Sequence, residues 1–367
     1  MGVGLPHLRP MNVDDNGQIV LDKVKYVETV EDVTKYFVKS GDVIFNNTNS
    51  EELVGKTAYW DRDGGFVLSN HMTIIRVLNP EALDSFYLAR LLHKLWFDGF
   101  YLRICRRHVN QASISLERLK QIVIPVPPIV EQRRIARVLS TIQRAIEAQE
   151  KVIAAAHELK RSLMKHLFTY GPVPITETSR VPLKETEIGP MPEHWQAVEL
   201  GEACQVDWGN TSLTKAIYKP IGFPAFSATG QDGFLDFHEH EGEAIVLSAI
   251  GARCGKCFLA TGKWTAIKNT IVMKPVGAMD IVFLYRFLDD AKRWPKSGTG
   301  QPFIALGNAR RIKIPYPPVS EQRQIGDTLR AAGARIEAEE KRKAALQALF
   351  KTMLHHLMTA KIRVRDL

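Results

Sequence analysis

The chain is short of the features that mark most simple functional classes. It has four cysteines, Cys105, Cys204, Cys254 and Cys257, in 367 residues, too few and too unevenly spaced for a disulfide framework. No apolar run approaches the ~20 residues that a membrane span requires. The opening Met1-Gly2-Val3-Gly4-Leu5-Pro6 has no charged region followed by an apolar one. A cytoplasmic chain without membrane contact is the expectation. Apolar residues are not scarce, however: 45% hydrophobic and 24% charged is an ordinary globular balance that excludes wholesale disorder. The length accommodates two or three units of roughly 100–200 residues each.

Catalytic signatures are scarce too. Cys254-Gly255-Lys256-Cys257 is a C-x-x-C, but zinc or redox chemistry asks for a second pair or a thioredoxin-like βαβ pattern. The first half has Val54-Gly55-Lys56-Thr57 at the matching place, so the repeated element is a Gly-Lys turn and no metal site is expected. Gly251-Ala252-Arg253-Cys254-Gly255-Lys256 is one residue short of a phosphate-binding loop and has no Ser or Thr after the lysine. Neither Asn46-Asn47-Thr48 nor the doubled prolines form the Asn/Asp-Pro-Pro-aromatic motif of an adenine methyltransferase. No Gly-rich loop follows a strand to hold a methyl donor.

What the chain does have is positive charge and a repeat. Its 49 Lys and Arg against 40 acidic residues leave a net charge of +9, which suits a polyanionic partner without naming one. Ile124-Pro125-Val126-Pro127-Pro128-Ile129-Val130-Glu131-Gln132-Arg133 recurs as Ile314-Pro315-Tyr316-Pro317-Pro318-Val319-Ser320-Glu321-Gln322-Arg323, an offset of 190 residues, and the match runs ungapped to Gly171 and Lys361. In both copies an apolar stretch, Ile122-Val123-Ile124 and Ile312-Lys313-Ile314, reads as a short strand. Prolines then end the strand, and a glutamate in the first helical turn favours the positive end of the helix dipole.

Steps of four and three follow. Ile135, Leu139, Ile142, Ile146, Gln149, Ile153, Ala156, Leu163 and Leu167 make one seam, broken at Lys160; Ile325, Leu329, Ala332, Ile336, Leu346, Phe350, Met353 and Leu357 make the other, broken at Glu339 and Lys343. Such seams predict a coiled coil in which each helix covers the other. A helix over 131–168 would be about 57 Å long, long enough to hold two lobes apart. Taken alone, the seams also suit a dimerisation or scaffold hairpin, or a protein-binding adaptor without DNA reading.

The lobes ahead of the helices are paired as well. Gly41-Asp42-Val43-Ile44-Phe45 aligns with Gly242-Glu243-Ala244-Ile245-Val246, Gly55-Lys56 with Gly255-Lys256, and Asn70-His71-Met72-Thr73-Ile74 with Asn269-Thr270-Ile271-Val272. Helices opening at Asp84 and Asp280 come next, then Gln111 and Gln301 at the offset of 190. Short β-branched runs with Gly, Asn and Asp turns predict α+β lobes of mainly antiparallel strands.

Together the corner, the long helix and the preceding lobe, all repeated, resemble the specificity subunits of type I restriction-modification systems. The resemblance implies two target recognition lobes, each reading half of a split, asymmetric duplex DNA site. It implies two helices packed antiparallel under a pseudo-two-fold repeat, two methyltransferase subunits docked on them, and motor-nuclease subunits for cleavage. S-adenosylmethionine, ATP and Mg²⁺ would belong to those partners, with no cofactor and no catalysis in this chain. The implied segments are 1–123 (first lobe), 124–171 (first corner and helix), 172–313 (linker and second lobe) and 314–367 (second corner and helix). The second lobe opens on Gly189-Pro190-Met191-Pro192-Glu193-His194-Trp195, whereas Leu8-Arg9-Pro10-Met11-Asn12-Val13 reads as a point further inside the first. A first lobe shortened by its opening strands is the expectation.

Phosphate contacts need Lys and Arg, and base edges are read by Arg, Asn and Gln. Candidate DNA contacts are Lys56, Arg62, Asn70, Arg103, Arg106, Arg107 and Gln111 in the first lobe, with Arg253, Lys256, Asn269, Lys292, Arg293, Lys296 and Gln301 in the second. His108, Arg310, Arg311 and Lys313 belong to the same basic clusters. Arg133, Lys151, Arg323 and Lys341 recur on the helices as candidates for partner docking.

Overall fold

The computed structural model describes residues 4–22, 24–29, 33–298 and 300–364. It divides into two compact units, Met1–Glu150 with Lys341–Leu367 and Lys151–Glu340. Each unit takes one lobe, the first half of the long helix that follows it and the second half of the other long helix. The units therefore cut across the four segments read along the chain.

In the first unit the order is β1 (Leu5–Leu8), β2 (Lys25–Val27), β3 (Val43–Asn46), β4 (Thr48–Asn49), β5 (Thr57–Tyr59), β6 (Val67–Leu68), β7 (Met72–Ile75), α1 (Ser85–Phe97), α2 (Phe100–Ile104), β8 (Arg106–Arg107), β9 (Ala112–Ser113), α3 (Leu116–Lys120) and α4 (Ile129–Tyr170). Three small sheets result, ordered β2-β1-β6, β5-β3-β7 and β4-β9-β8. β3 is central and buried at every residue, which is why its Val43-Ile44-Phe45 run does not alternate. Asp84 caps α1 by accepting the Tyr87 N–H at 2.8 Å.

The second unit contains β10 (Leu183–Lys184), β11 (Met191–Pro192), β12 (Gln196–Glu199), α5 (Leu200–Ala203), β13 (Cys204–Trp208), β14 (Phe223–Ser227), β15 (Gly230–Leu235), β16 (His240–Glu241), β17 (Ala244–Ser248), β18 (Cys257–Ala260), β19 (Lys263–Ala266), β20 (Thr270–Pro275), α6 (Ile281–Leu288), α7 (Leu306–Arg311), β21 (Lys313–Tyr316) and α8 (Val319–Met358). Its sheets run β13-β20-β17-β18, β15-β14-β19-β16 and β12-β21, with a β10-β11 pair. The two lobes share one plan. β17 lies between β18 and β20 as β3 lies between β5 and β7, all antiparallel. β14 pairs antiparallel with β15 and parallel with β19, as β1 does with β2 and β6. The α+β, mainly antiparallel reading holds, with one parallel pair in each lobe.

Both long helices begin directly after the Pro-Pro corner, two residues before the glutamates that were expected to open them. Within each unit the two helix halves run antiparallel. In the first, Glu131 meets Arg363 (3.1 Å) and Glu150 meets Lys343 (2.8 Å); in the second, His157 faces Glu340 at 3.6 Å while Gly171 lies beside Glu321. The seams do not serve the helices alone. Ile135, Leu139 and Ile146 share a core with Phe350, Leu354 and Leu357, and also with Tyr87 and Leu91 of α1. Leu167, Ile325 and Leu329 join Phe283 and Phe287 of α6 in the second unit. Each apolar stripe thus buries a lobe helix as well as its partner helix, a larger burial than a two-stranded seam provides.

One expectation fails. Lys313–Tyr316 forms the strand β21, but its first-copy counterpart, residues 123–126, is in no strand. β21 exists because β12 pairs with it over four residues; among the described residues nothing pairs with 123–126. The same propensity gives a strand only where a neighbour supplies the other half of the ladder.

Candidate nucleic-acid interface

The corner glutamine sets the lobe on its helix. Gln132 is fully buried; its Oε1 accepts the Asp84 N–H at 2.8 Å, and its Nε2 donates to the carbonyls of Pro127 (2.7 Å) and Ala82 (2.9 Å). Gln322, also fully buried, repeats this with the Asp280 N–H (2.7 Å) and the Pro317 carbonyl (2.9 Å). One amide therefore ties corner, long helix and lobe helix together, leaving no buried polar group of its own unpaired. Sequence reasoning passed over this glutamine for the glutamate beside it. Its signal was available, because a neutral polar residue repeated at the first turn of an apolar-seamed helix needs a partner.

Beyond the lobe helix, each unit raises a β-hairpin against the continuation of its central strand. In the first unit β8 and β9 pair, β9 also pairs with β4, and the His108 N–H closes the turn on the Gln111 carbonyl at 2.7 Å. In the second, Ser297 and Phe303 exchange two 2.9 Å backbone bonds and Phe303 bridges Ile250. A further equivalence fixes both hairpins: the Ile114 N–H donates to the Asn47 carbonyl (2.9 Å) and the Ile304 N–H to the Ala249 carbonyl (2.8 Å). Gln111 and Gln301 occupy the same exposed place at the two tips.

The tips differ in charge. Arg106, Arg107, His108 and Gln111 are exposed on the first, with Arg103 on α2 stacked over Phe100 (5.6 Å) and Arg107 paired with Glu51. At the apex Val109 is 99% exposed. The second tip is glycine-rich, and its charge stands at the base: exposed Lys292 and Lys296, and Arg293, half-buried, stacked over Phe287 at 4.0 Å and 3.7 Å from Asp290. Burial lowers the Arg293 pKa. Lys292, Arg293, Arg311 and Lys313 share a cleft of about 600 Å³ in that unit.

Next to each hairpin lies the Gly-Lys turn. Gly55 and Gly255 both adopt left-handed φ angles, +92° and +94°. A Cβ on Gly55 would sit 2.1 Å from the Tyr101 ring, so glycine is demanded by conformation and by space. Exposed Arg253 lies in this turn and donates to the Thr229 carbonyl at 2.8 Å. Thr229 itself belongs to a tight group around Asp232, whose carboxylate also accepts Lys215 (2.5 Å), Ser227 (2.7 Å) and Tyr218 (2.8 Å). Burial there raises the Asp232 pKa, but these bonds together prevail and bring it down to about 2.

Several candidates serve the fold instead. Lys56 is buried, paired with the exposed Asp15 and laid over Trp96 at 5.2 Å, so its reading as a DNA contact is corrected to a structural ion pair at the surface of the fold. Lys256 is exposed but holds Asp289 at 2.9 Å. Asn269 is a turn residue with φ +71° whose carbonyl accepts the Ala249 N–H, a conformation that asparagine tolerates. Its counterpart is His71, whose carbonyl accepts the Asn47 N–H; the alignment of Asn70 with Asn269 was one residue out of register. Asn70 is exposed in the turn before β7, and Arg62, also exposed, bonds Asp61 at 3.0 Å. Arg310 clamps the Val206 carbonyl at 2.7 and 3.0 Å. Cys254 and Cys257 are buried, donate to the Ala249 and Leu288 carbonyls, and have pKa values raised by burial; they behave as packed core thiols.

On the helices Arg133, Lys151, Arg323 and Lys341 are all exposed, and Arg133 pairs with Glu81 at 3.1 Å. Sequence reasoning missed two neighbours outside the seams. Leu159 and Leu349, again 190 apart, are 69% and 45% exposed, and the exposed Ala155 and Ala345 lie one turn before them.

The family model for the type I restriction modification DNA specificity domain matches twice, over residues 11–156 and 192–348. The chain is 30% identical to the putative type I restriction enzyme MjaX specificity subunit of Methanocaldococcus jannaschii, over 99% of this chain and 88% of that protein. It is 25% identical to the type I restriction enzyme MjaVIII specificity subunit of the same organism, over 82% and 75%. The crystal structure of the type I restriction-modification S subunit from M. genitalium shares the fold over 97% of this chain and 89% of that one, with a TM-score of 0.60 at 18% identity. With a doubled match that follows the doubled corner, helix and hairpin, the chain belongs to the family of DNA specificity subunits of type I restriction-modification systems.

Proposed function

We propose that each unit reads one half of a bipartite duplex target through its basic hairpin and the Gly-Lys turn beside it, and that this chain is itself non-catalytic. The supporting observation is the pair of hairpins: one backbone plan in both units, pinned by the same bonds, with unlike side chains at the tips. Equal scaffolds with different tips suit two different half-sites, hence an asymmetric target. Arg103, Arg106 and Arg107 in one unit, and Lys292, Lys296 and Arg253 in the other, meet phosphates or base edges. Leu159 and Leu349, with Arg133, Lys151, Arg323 and Lys341, form the docking faces for two methyltransferase subunits. Motor-nuclease subunits join for cleavage, and S-adenosylmethionine, ATP and Mg²⁺ are bound in those chains. The assembly works in the cytoplasm, where its DNA is.

Duplex binding measured against salt tests the reading. Log K should fall against log salt by about 0.9 for each phosphate neutralised. A slope near zero would sink the DNA reader and leave the protein-binding adaptor. Mapping methylated bases in the host should then give two unlike half-sites.

A further inference from the structure

The break at Lys160 in the first seam sets the two units apart at one level of their helices. Its counterpart 190 residues on is Phe350, which is buried and carries the guanidinium of Arg90 at 5.4 Å from its ring centre. Arg90, on the lobe helix α1, is buried too and donates to the carbonyls of Asn16 (3.0 Å) and Gly17 (3.2 Å). The first unit therefore closes this level with an aromatic ring and an arginine bonded to two carbonyls.

In the second unit the arginine recurs and the ring does not. Arg286 follows the capping Asp280 on α6 as Arg90 follows Asp84 on α1, and the seam residue is the half-buried Lys160. Burial, then the charge of Arg286, lower the Lys160 pKa, so the two cations act on each other. Among the described residues neither makes a hydrogen bond or an ion pair, and the Arg286 Nε is buried without a partner. Asp289 offsets the charge in part, but its carboxylate already accepts Lys256 (2.9 Å) and the Cys257 N–H (3.2 Å). Lys160 lines a cleft of about 470 Å³ with Lys165, Phe168, Phe287 and Arg293. The Nε of Arg293 is likewise buried without a hydrogen-bond partner, 3.7 Å from Asp290. Through Arg293 and Phe287 this cleft adjoins the one that holds Lys292, Arg311 and Lys313, and the carboxylates on the two walls, Asp290 and Glu187, are outnumbered by these cations.

We propose that this cleft binds a phosphate dianion, held by Lys160, Lys165 and Arg293 where the long helix meets the second lobe. A part-buried cation that faces a second cation gains from a counter-ion of its own. Arginine brings a planar fork of donors and lysine a point charge, and together they suit a group with several acceptor oxygens and a double charge better than a carboxylate. A duplex backbone meets exposed cations, whereas Lys160 lies half-buried at the level of the seam. The dianion is the free ion or the terminal group of a nucleotide, which present the same oxygens. The first unit lacks the site because Phe350 fills the position. The inference does not rest on DNA reading by the hairpins, since the anion binds the chain alone.

Calorimetric titration of the full chain with inorganic phosphate, at constant ionic strength, should show one site per chain. Acetate, the carboxylate control, should bind about tenfold more weakly or less. Lys160→Met keeps the reach of the side chain without its charge and should weaken phosphate binding by about tenfold or more; Lys160→Arg should retain it. In phosphate-free buffer Lys160→Met should melt no lower than the parent chain, because a cation facing Arg286 has gone. Adenosine 5′-monophosphate identifies the source: binding as tight as phosphate or tighter assigns a nucleotide, weaker binding the free ion. The proposal is overturned if phosphate binds no tighter than acetate, or if Lys160→Met binds it as the parent does. It is also overturned if Lys160→Met melts well below the parent, because Lys160 then serves the fold.

Discussion

The two units solve one folding problem twice with different materials. Both hang a lobe on a long helix through a buried glutamine, and both raise a hairpin beside a left-handed glycine. The second finishes its sheets with β12 and β13 and a four-stranded β15-β14-β19-β16 layer, whereas the first, among the described residues, has three-stranded sheets. It has instead a buried polar cluster. Arg90 donates to the carbonyls of Asn16 and Gly17, while His93 accepts the Thr57 N–H and donates to the Asp15 carbonyl. Where strands are few, side-chain hydrogen bonds fasten the chain, and such bonds respond to protons as ladders do not.

The turn glycines should separate the units most sharply. Gly55→Ala drives a Cβ into the Tyr101 ring and forces alanine into a left-handed conformation, at a cost of about 3 kcal/mol or more. Gly255→Ala meets only the Ala291 backbone and side chain at 3.0–3.2 Å and should cost about half as much. Urea unfolding of the two variants, with probes in each unit, decides this; equal losses would break the comparison. The corner glutamines should instead unite the units. Gln132→Ala and Gln322→Ala each strand a part-buried backbone N–H and should each cost about 1–3 kcal/mol, read as matched shifts in unfolding midpoint.

Acid should divide the units again. Burial, then the charge of Arg90, lower the His93 pKa from 6.5 to about 3. The unfolded chain therefore takes up the proton first. The stability that neutral His93 contributes is complete above pH 6.5 and is lost as pH falls from 6.5 towards 3, by about 1.4 kcal/mol per unit. At pH 5 the first unit should be weaker by about 2 kcal/mol, and His93→Gln should flatten that dependence. Asp232 acts in a lower window: its depressed pKa keeps its contribution to the second unit until pH falls from 3.8 towards 2. Thermal melts at pH 7, pH 5 and pH 3 with unit-specific probes check both. The smallest effect belongs to the tips: replacing Arg106 and Arg107 by alanine should lower the salt slope of DNA binding by about 1 for each phosphate that is no longer neutralised. Changes at Lys292 and Lys296 should alter recognition of the other half-site only.

Legibility followed sequence distance. The corner, both helices and the lobe helices with their Asp84 and Asp280 caps were readable because each is set within a few residues, by proline, by a cap or by a 3.6-residue period. Arg106 and Arg107 were readable as a basic cluster and Gln111 as a repeated glutamine, but the hairpin that brings them to one tip rests on the pairing of β9 with β8 and β4 and was not legible. Lys56 was misread because its partner Asp15 is distant in sequence, and Asn269 because its value is a backbone angle rather than an amide side chain.

By itself the sequence determined that the chain is a duplication, where its helices start and which face each one buries, because such features are written in local period and in a repeat that chance does not produce. The tertiary structure decided whether 122–126 became a strand, whether a lysine faced water or a carboxylate, and which edges were closed. Each of those outcomes depends on what the rest of the chain brings alongside. A ladder or an ion pair needs two partners, and one stretch of sequence supplies only one of them.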